Sequence, residues 1–228
     1  MRVAWHPTPA WVLGATILMA SPPVAASSVR FVPGEVVIQF VPGSEGHHTV
    51  MQVGKQPAPD LTEFAPVMTR LTTATSIPLT AKQLLSGQRL LLGIDTNRVV
   101  HEAAGRLRGK PGVRAAGLDE TGPEPSRSSS GGAPIRVEFT QDSQLNRLLS
   151  EVVDNPDSPV RQELLADLQA DLAIPLTIGT VRRDALLLNV DLPALTHLTV
   201  QRLSTVSEIR EAQLNYLLSI RTPERLEQ

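Results

Sequence analysis

The chain has 228 residues, a formal net charge of −2 and no cysteine, so it folds without disulfides or cysteine-based zinc sites. Its 21 basic and 23 acidic residues nearly balance, which argues against a nucleic-acid or membrane-surface partner. Aromatic residues make up 3%, too few for a base-stacking or carbohydrate platform. The five histidines are scattered, and His47 and His48 lie in what reads as a solvated Gly/Ser loop. We therefore expect no metal and no cofactor.

The first 26 residues have the layout of a secretory signal peptide. Arg2 precedes an apolar run at 11–20, and Val24 and Ala26 occupy the small-residue positions of a cleavage site, so cleavage is predicted after Ala26. The alternative is a membrane anchor, but the run is about half of the roughly 20 residues that span a bilayer. We expect an exported protein, periplasmic or extracellular, that is not inserted in a membrane after cleavage.

The tetrapeptide IPLT occurs at 77–80 and again at 174–177, which indicates an internal duplication. At an offset of 96, residues 90–118 align with 186–214 without a gap. The identical residues of the first copy are Leu90, Leu91, Leu92, Asp95, His101, Arg106, Leu107, Arg114, Ala116 and Leu118. Further upstream, VVIQFVPGS aligns with IRVEFTQDS at an offset of 99. The two halves are therefore expected to share one fold.

Both halves open with a short β-rich run, at 35–40 and 135–139. In the second half Ser143 is a good N-cap for an amphipathic helix. NPDSP at 155–159 interrupts that helix, and its Ser158 and Pro159 supply the cap and the first-turn proline of another helical segment. The first half is weaker here: Asp60 and Glu63 resemble a capping box, but a proline limits the helix that follows.

IPLT then begins a strand in each half, followed by the leucine-rich strand RLLLGID or ALLLNVD. Asp95 and Asp191 stand where an N-cap is expected, and each precedes a helix with one apolar stripe. A last strand closes each copy. The order strand, helix, strand, strand, helix, strand predicts an α+β protein of two tandem ferredoxin-like (βαββαβ) modules, each an antiparallel sheet with two helices on one face.

The module boundaries follow from composition. Residues 30–120 are predicted to form module 1 and 134–221 module 2. The Pro-, Ser- and Gly-rich stretch 121–133 reads as a flexible linker, and 222–228 as a C-terminal tail.

Several polar residues recur in both copies. His101 and His197 lie two residues beyond the apolar stripe, about 200° round the helix, which predicts exposure, although a paired surface site is conceivable. Arg106 and Arg202, like Arg114 and Arg210, are expected to be solvated on helix faces or sheet edges.

The first half resembles the propeptides of fervidolysin-type and subtilisin-type proteases. FVPGEVVIQFVPGSEG is similar to their opening strand with its Pro-Gly turn, and AAGRLRGKPGVRAAGLDE to their closing helix and strand. The resemblance covers roughly residues 30–120. The second half resembles the family only through its similarity to the first.

The resemblance implies a module that folds a secreted subtilisin-like serine protease, covers its active site, or both. In that family the segment after the last strand lies along the substrate cleft, and an acidic sheet edge meets protease helix N-termini. Carried onto this chain, the protein-binding candidates are Leu118, Asp119, Glu120, Leu218, Ser219 and Ile220.

No phrase of the sequence supplies a nucleophile, a base and an orienting acid, so we expect a non-enzymatic binding protein. The leading hypothesis is a stand-alone protease inhibitor or folding helper. The alternatives are a structural or assembly adaptor of the cell envelope with no protease target and, least favoured, an enzyme with an unrecognised site.

Overall fold

The computed structural model describes residues 30–86, 88–119, 132–170 and 172–216. The predicted signal peptide, the tail at 222–228 and most of the predicted linker at 121–133 lie outside the described residues.

Within these ranges each half contains four strands and three α-helices, and the first half has a 3-10 turn in addition. The first half comprises β1 (Phe31–Phe40), α1 (Glu45–Val53), a 3-10 turn (Leu61–Phe64), α2 (Ala65–Thr75), β2 (Leu79–Leu85), β3 (Arg89–Ile94), α3 (Thr96–Arg108) and β4 (Val113–Leu118). The second half comprises β5 (Ile135–Phe139), α4 (Gln144–Asp154), α5 (Val160–Gln169), β6 (Leu176–Val181), β7 (Leu186–Val190), α6 (Leu192–Leu203) and β8 (Ile209–Tyr216).

Local chemistry explains where these helices start. The side chain of Asp95 accepts a hydrogen bond from the Arg98 amide (3.1 Å), and Asp191 does the same for Ala194 (3.0 Å), as expected of N-caps. Ser143 caps α4 in the same way. The predicted caps at these three positions are confirmed.

The loop predicted around His47 and His48 is wrong, because these residues lie within α1. Ser44 caps that helix by accepting from the His47 amide. The helix packs its buried Gly46 so closely on the Phe40 ring that an added Cβ would lie 2.3 Å from it. His48 is exposed on the opposite side.

The described strands form two four-stranded antiparallel sheets, which confirms the α+β class. The first sheet, sheet A, has the order β2-β3-β1-β8, and the second, sheet B, has the order β4-β5-β7-β6. The last strand of each half therefore lies in the sheet of the other half. This differs from the expected self-contained modules, in which β4 would join β1 and β8 would join β5.

The exchange carries a helix with each strand. Helix α6 packs on β1 and β8 in sheet A, and α3 packs on β4 and β5 in sheet B. A single residue, Asp95, joins β3 to α3, and Asp191 alone joins β7 to α6. Each half thus passes its last helix and last strand to the other sheet, and the two connecting aspartates occupy equivalent positions.

Pairing registers show how alike the two exchanges are. Ala116 pairs with Val137 in sheet B, and the equivalent Ala212 pairs with Ile38 in sheet A. Both strand pairs also have a register shift at the same place, at Arg114 and at Arg210. Duplication gave both halves the same apolar faces, so each α–β unit fits either sheet, and the sequence pattern does not decide between them.

The apolar core lies between the sheets and their helices. On β1 the side chains of Val36, Ile38 and Phe40 alternate toward the helices, as period-two geometry requires. Buried apolar residues from both halves belong to one connected cluster. The exchange therefore makes the two halves one structural unit.

Candidate protein-binding surface

Two of the predicted binding residues are part of sheet B. Leu118 pairs with Ile135, and the Asp119 amide donates to the Pro134 carbonyl (2.9 Å). The Asp119 side chain is 1% exposed, and its Oδ2 lies 4.0 Å from a guanidinium nitrogen of Arg182. These residues extend β4 along β5. The other candidates, Glu120, Leu218, Ser219 and Ile220, lie outside the described residues.

The equivalent positions on β8 are Leu214 and Asn215, which the family resemblance did not indicate. Leu214 is buried and pairs with Val36, as Leu118 pairs with Ile135. The signal that could have found them was available, since the 96-residue offset aligns Leu118 with Leu214.

Asn215 belongs to a polar network on the face of sheet A that points away from the helices. Glu35 on β1 accepts hydrogen bonds from Lys82 Nζ on β2 (2.8 Å) and from Asn215 Nδ2 on β8 (2.7 Å). The lysine chain crosses β3 above Gly93, where an added Cβ would lie 2.5 Å from it. One carboxylate thus joins strands from both halves.

The network lowers the pKa of Glu35 below its ordinary value. Partial burial alone would raise that pKa, but the hydrogen bonds from Lys82 and Asn215 and the lysine charge together outweigh it. The carboxylate therefore stays charged near neutral pH and presents a fixed acidic group on the open face.

Sheet B carries a different charged network on the corresponding face. Arg136 on β5 pairs with Glu138 (3.1 Å) and with Asp184 (2.8 Å), and Arg114 on β4 also reaches Glu138 (2.6 Å). These faces carry charges of both signs around buried apolar residues such as Leu91 and Leu187, and the charged groups suit a reversible contact with another polar surface.

The recurring arginines have structural roles that were not predicted. Arg202 donates to the carbonyls of Thr75 (2.6 Å) and Ala173 (3.2 Å), and Arg106 donates to the carbonyl of Leu172 (3.1 Å). Thr75 is the last residue of α2, and Leu172 is the equivalent residue in the turn after α5, so each exchanged helix binds a carbonyl just ahead of IPLT. Arg106 is exposed, as expected, and Arg202 is partly exposed, but their carbonyl contacts were not predicted.

The recurring histidines are exposed, as predicted. His197 places its ring edge-on to Phe31, with centroids 5.1 Å apart, and His101 lies against the Asn97 carbonyl on its own helix. They lie on different helices, α3 and α6.

Within the described residues, no three His, Asp or Glu side chains are grouped closely enough to hold a metal ion. Of the helices that the structure describes, none has the length and apolar character to cross a membrane. Comparison with protein-family models, curated proteins and solved structures found no match for this chain.

Proposed function

We propose that the chain is an exported, non-enzymatic binding protein that acts as a stand-alone inhibitor or folding helper of a secreted subtilisin-like serine protease. The proposal rests first on the resemblance of residues 30–120 to the propeptides of such proteases. Export follows from the signal-like first 26 residues, and places the protein in the periplasm or the medium.

The observation that carries the proposal is the composition of sheet A. We interpret its order β2-β3-β1-β8 as that of a ferredoxin-like module whose last helix and strand come from the second half. The Pro-Gly-Glu motif at 33–35 lies on β1 of this sheet. Sheet A is accordingly our propeptide-like unit.

This assignment changes which of the two predicted segments enters the protease cleft. The segment that follows the last strand of sheet A begins at residue 217, directly after β8, and contains Leu218, Ser219 and Ile220. Leu118 ends β4 and Asp119 follows it, so this pair belongs to sheet B, whose strand β5 lacks the Pro-Gly-Glu motif of β1. We therefore favour the C-terminal segment as the cleft ligand.

The open face of sheet A offers the second contact. Glu35 is held charged there, and a carboxylate is a suitable partner for the positive end of a protease helix. The same face carries Lys82, so we expect the protease surface that it contacts to carry charges of both signs and not only basic groups.

The test is inhibition of a purified secreted subtilisin-like protease by residues 27–228. We expect slow, saturable inhibition or improved refolding of the denatured protease, and loss of either effect when residues 217–228 are deleted. Replacing residues 122–130 by Gly and Ser is the matched control and should leave the effect intact. If a panel of such proteases is neither inhibited nor refolded, the protein is better explained as an envelope adaptor without a protease target.

A further inference from the structure

The two sheets present four edge strands, β2 and β8 in sheet A and β4 and β6 in sheet B. The outward N–H and C=O groups of an edge strand can pair with another chain, and proteins usually cover them. How each edge is covered differs between these strands.

Side chains close the edge of β6 and occupy the first outward group of β2. The Asp191 amide donates to the Pro175 carbonyl, so Pro175 and Thr177 face β7, whereas Leu176 and Ile178 face outward. Gln169 Nε2 donates to the outward carbonyl of Leu176 (2.8 Å). In addition, Arg161 donates to the carbonyl of Ile178 (3.1 Å), and on β2 the Leu79 amide donates to the hydroxyl of Thr72 (3.1 Å).

An arginine closes the edge of β4. Because the Asp119 amide faces β5, alternation turns Ala116 outward. Arg108, at the end of α3, donates to the Ala116 carbonyl through Nε (3.3 Å) and Nη2 (3.0 Å). The carbonyl at the middle of this edge is therefore occupied.

Among the described residues, no side chain closes the edge of β8 in this way. Ala212 is equivalent to Ala116 and has the equivalent pairing register, so its carbonyl also faces outward. The residue equivalent to Arg108 is Ser204, whose short side chain donates to Val200 on its own helix instead. Within the described part of the chain, no side chain hydrogen-bonds to the backbone of β8. Tyr216, at the end of this strand, is 47% exposed.

We propose that the outer edge of β8 pairs antiparallel with β8 of a second copy of this chain. In an antiparallel pair, residues whose backbone groups face outward on one copy must lie opposite residues of the same kind on the other copy. A two-fold axis at Gln213 meets this condition. That register places Ala212 opposite Leu214 on the helix side and Glu211 opposite Asn215 on the open face. No like charges meet.

The same register brings the two Gln213 side chains together at the axis, on the open face. One strand edge buries less than the roughly 1,200 Å² of a standard stable interface, so the dimer is weak and depends on concentration.

The experiment is sedimentation equilibrium of residues 27–228 over a wide concentration range, with two arginine variants. Ser204→Arg installs on β8 the group that closes β4, and should weaken association by about tenfold or more. Ser150→Arg is the control, because Ser150 is likewise an exposed helix residue that donates to the carbonyl four residues earlier. It should leave association unchanged.

Gln213→Lys is a second variant, because it places two like charges opposite each other at the axis and should weaken the dimer. Thermal unfolding of each variant shows whether it is folded. A chain that remains monomeric throughout, or a dimer that Ser204→Arg does not weaken, would overturn the proposal. Association with a different protein by a monomeric chain would overturn it as well.

Discussion

The exchange of α6 and β8 into sheet A predicts a specific cost for removing one hydroxyl. Thr196 on α6 is completely buried, and its oxygen accepts a hydrogen bond from the Gly34 amide on β1 (2.8 Å) while donating to the Leu192 carbonyl on its own helix (2.6 Å). Gly34 has φ +83° and packs against Leu192, so its amide has a fixed direction. In Thr196→Val the shape is kept and the Gly34 amide loses its buried acceptor.

A buried donor left without a partner costs about 1–3 kcal/mol, and this is the expected loss in free energy of unfolding. Thr199→Val is the matched control. Thr199 is also completely buried and donates to the carbonyl four residues earlier (2.7 Å), but it accepts nothing from β1. Its replacement should change stability by about 0.5 kcal/mol or less.

Urea unfolding at neutral pH measures both variants, and hydrogen exchange of the Gly34 amide reports the bond directly. We expect that amide to exchange faster in Thr196→Val and at the wild-type rate in Thr199→Val. Equal stability losses in the two variants would refute the contact between α6 and β1.

Three further changes test other contacts. Glu35→Gln should destabilise the protein by about 1–2 kcal/mol at pH 7 after allowing for the partly exposed Lys82. The pKa of Glu35 is lower in the folded than in the unfolded chain, so its contribution to the free energy of unfolding is present above the unfolded pKa and is lost as the pH falls through the folded pKa. The stabilities of wild type and variant should therefore converge in acid. A stability difference that does not depend on pH would contradict this. Ala173→Gly should raise the melting temperature, because Ala173 has φ +51°, a region that costs a non-glycine residue roughly 1 kcal/mol; a lower melting temperature would count against that strain. Arg202→Ala should lower the free energy of unfolding by about 1–2 kcal/mol, because the two carbonyl partners lose their donor. Replacing the nearby exposed residue, His197→Ala, should be nearly neutral when both variants are compared by calorimetry.

Local features of the fold were predictable because they depend on a few neighbouring residues. Asp95 and Asp191 cap helices as expected, and both IPLT phrases lead into strands. Helix α1 was missed, since its own sequence has a weak apolar period. Alignment of Ser44 with the N-cap Ser143 contained the missing signal.

The exchange could not be predicted from the apolar pattern. Leu107 and Leu203 are both completely buried, each in the core of the sheet that its helix covers. Two copies with the same apolar faces offer each α–β unit two equivalent docking surfaces. Only the long-range contacts, such as Thr196 to Gly34, distinguish the alternatives.

The candidate surface was predictable in part. Resemblance selected Leu118 and Asp119, but the structure pairs them within sheet B, and a self-contained module would have left them at the end of sheet A. The roles of Arg106 and Arg202 depend on carbonyls far away in the chain, so no local pattern around the arginines indicated them.

Cleavage of the chain between the halves tests the exchange most directly. A specific protease site placed within residues 122–130 would separate β4 from β5 in sequence while leaving both sheets intact. We expect the two fragments to elute together as a 1:1 pair under native conditions and to separate only after unfolding, since each fragment supplies a helix and a strand to the other. Two folded fragments that separate on dilution would show self-contained halves and contradict the exchange.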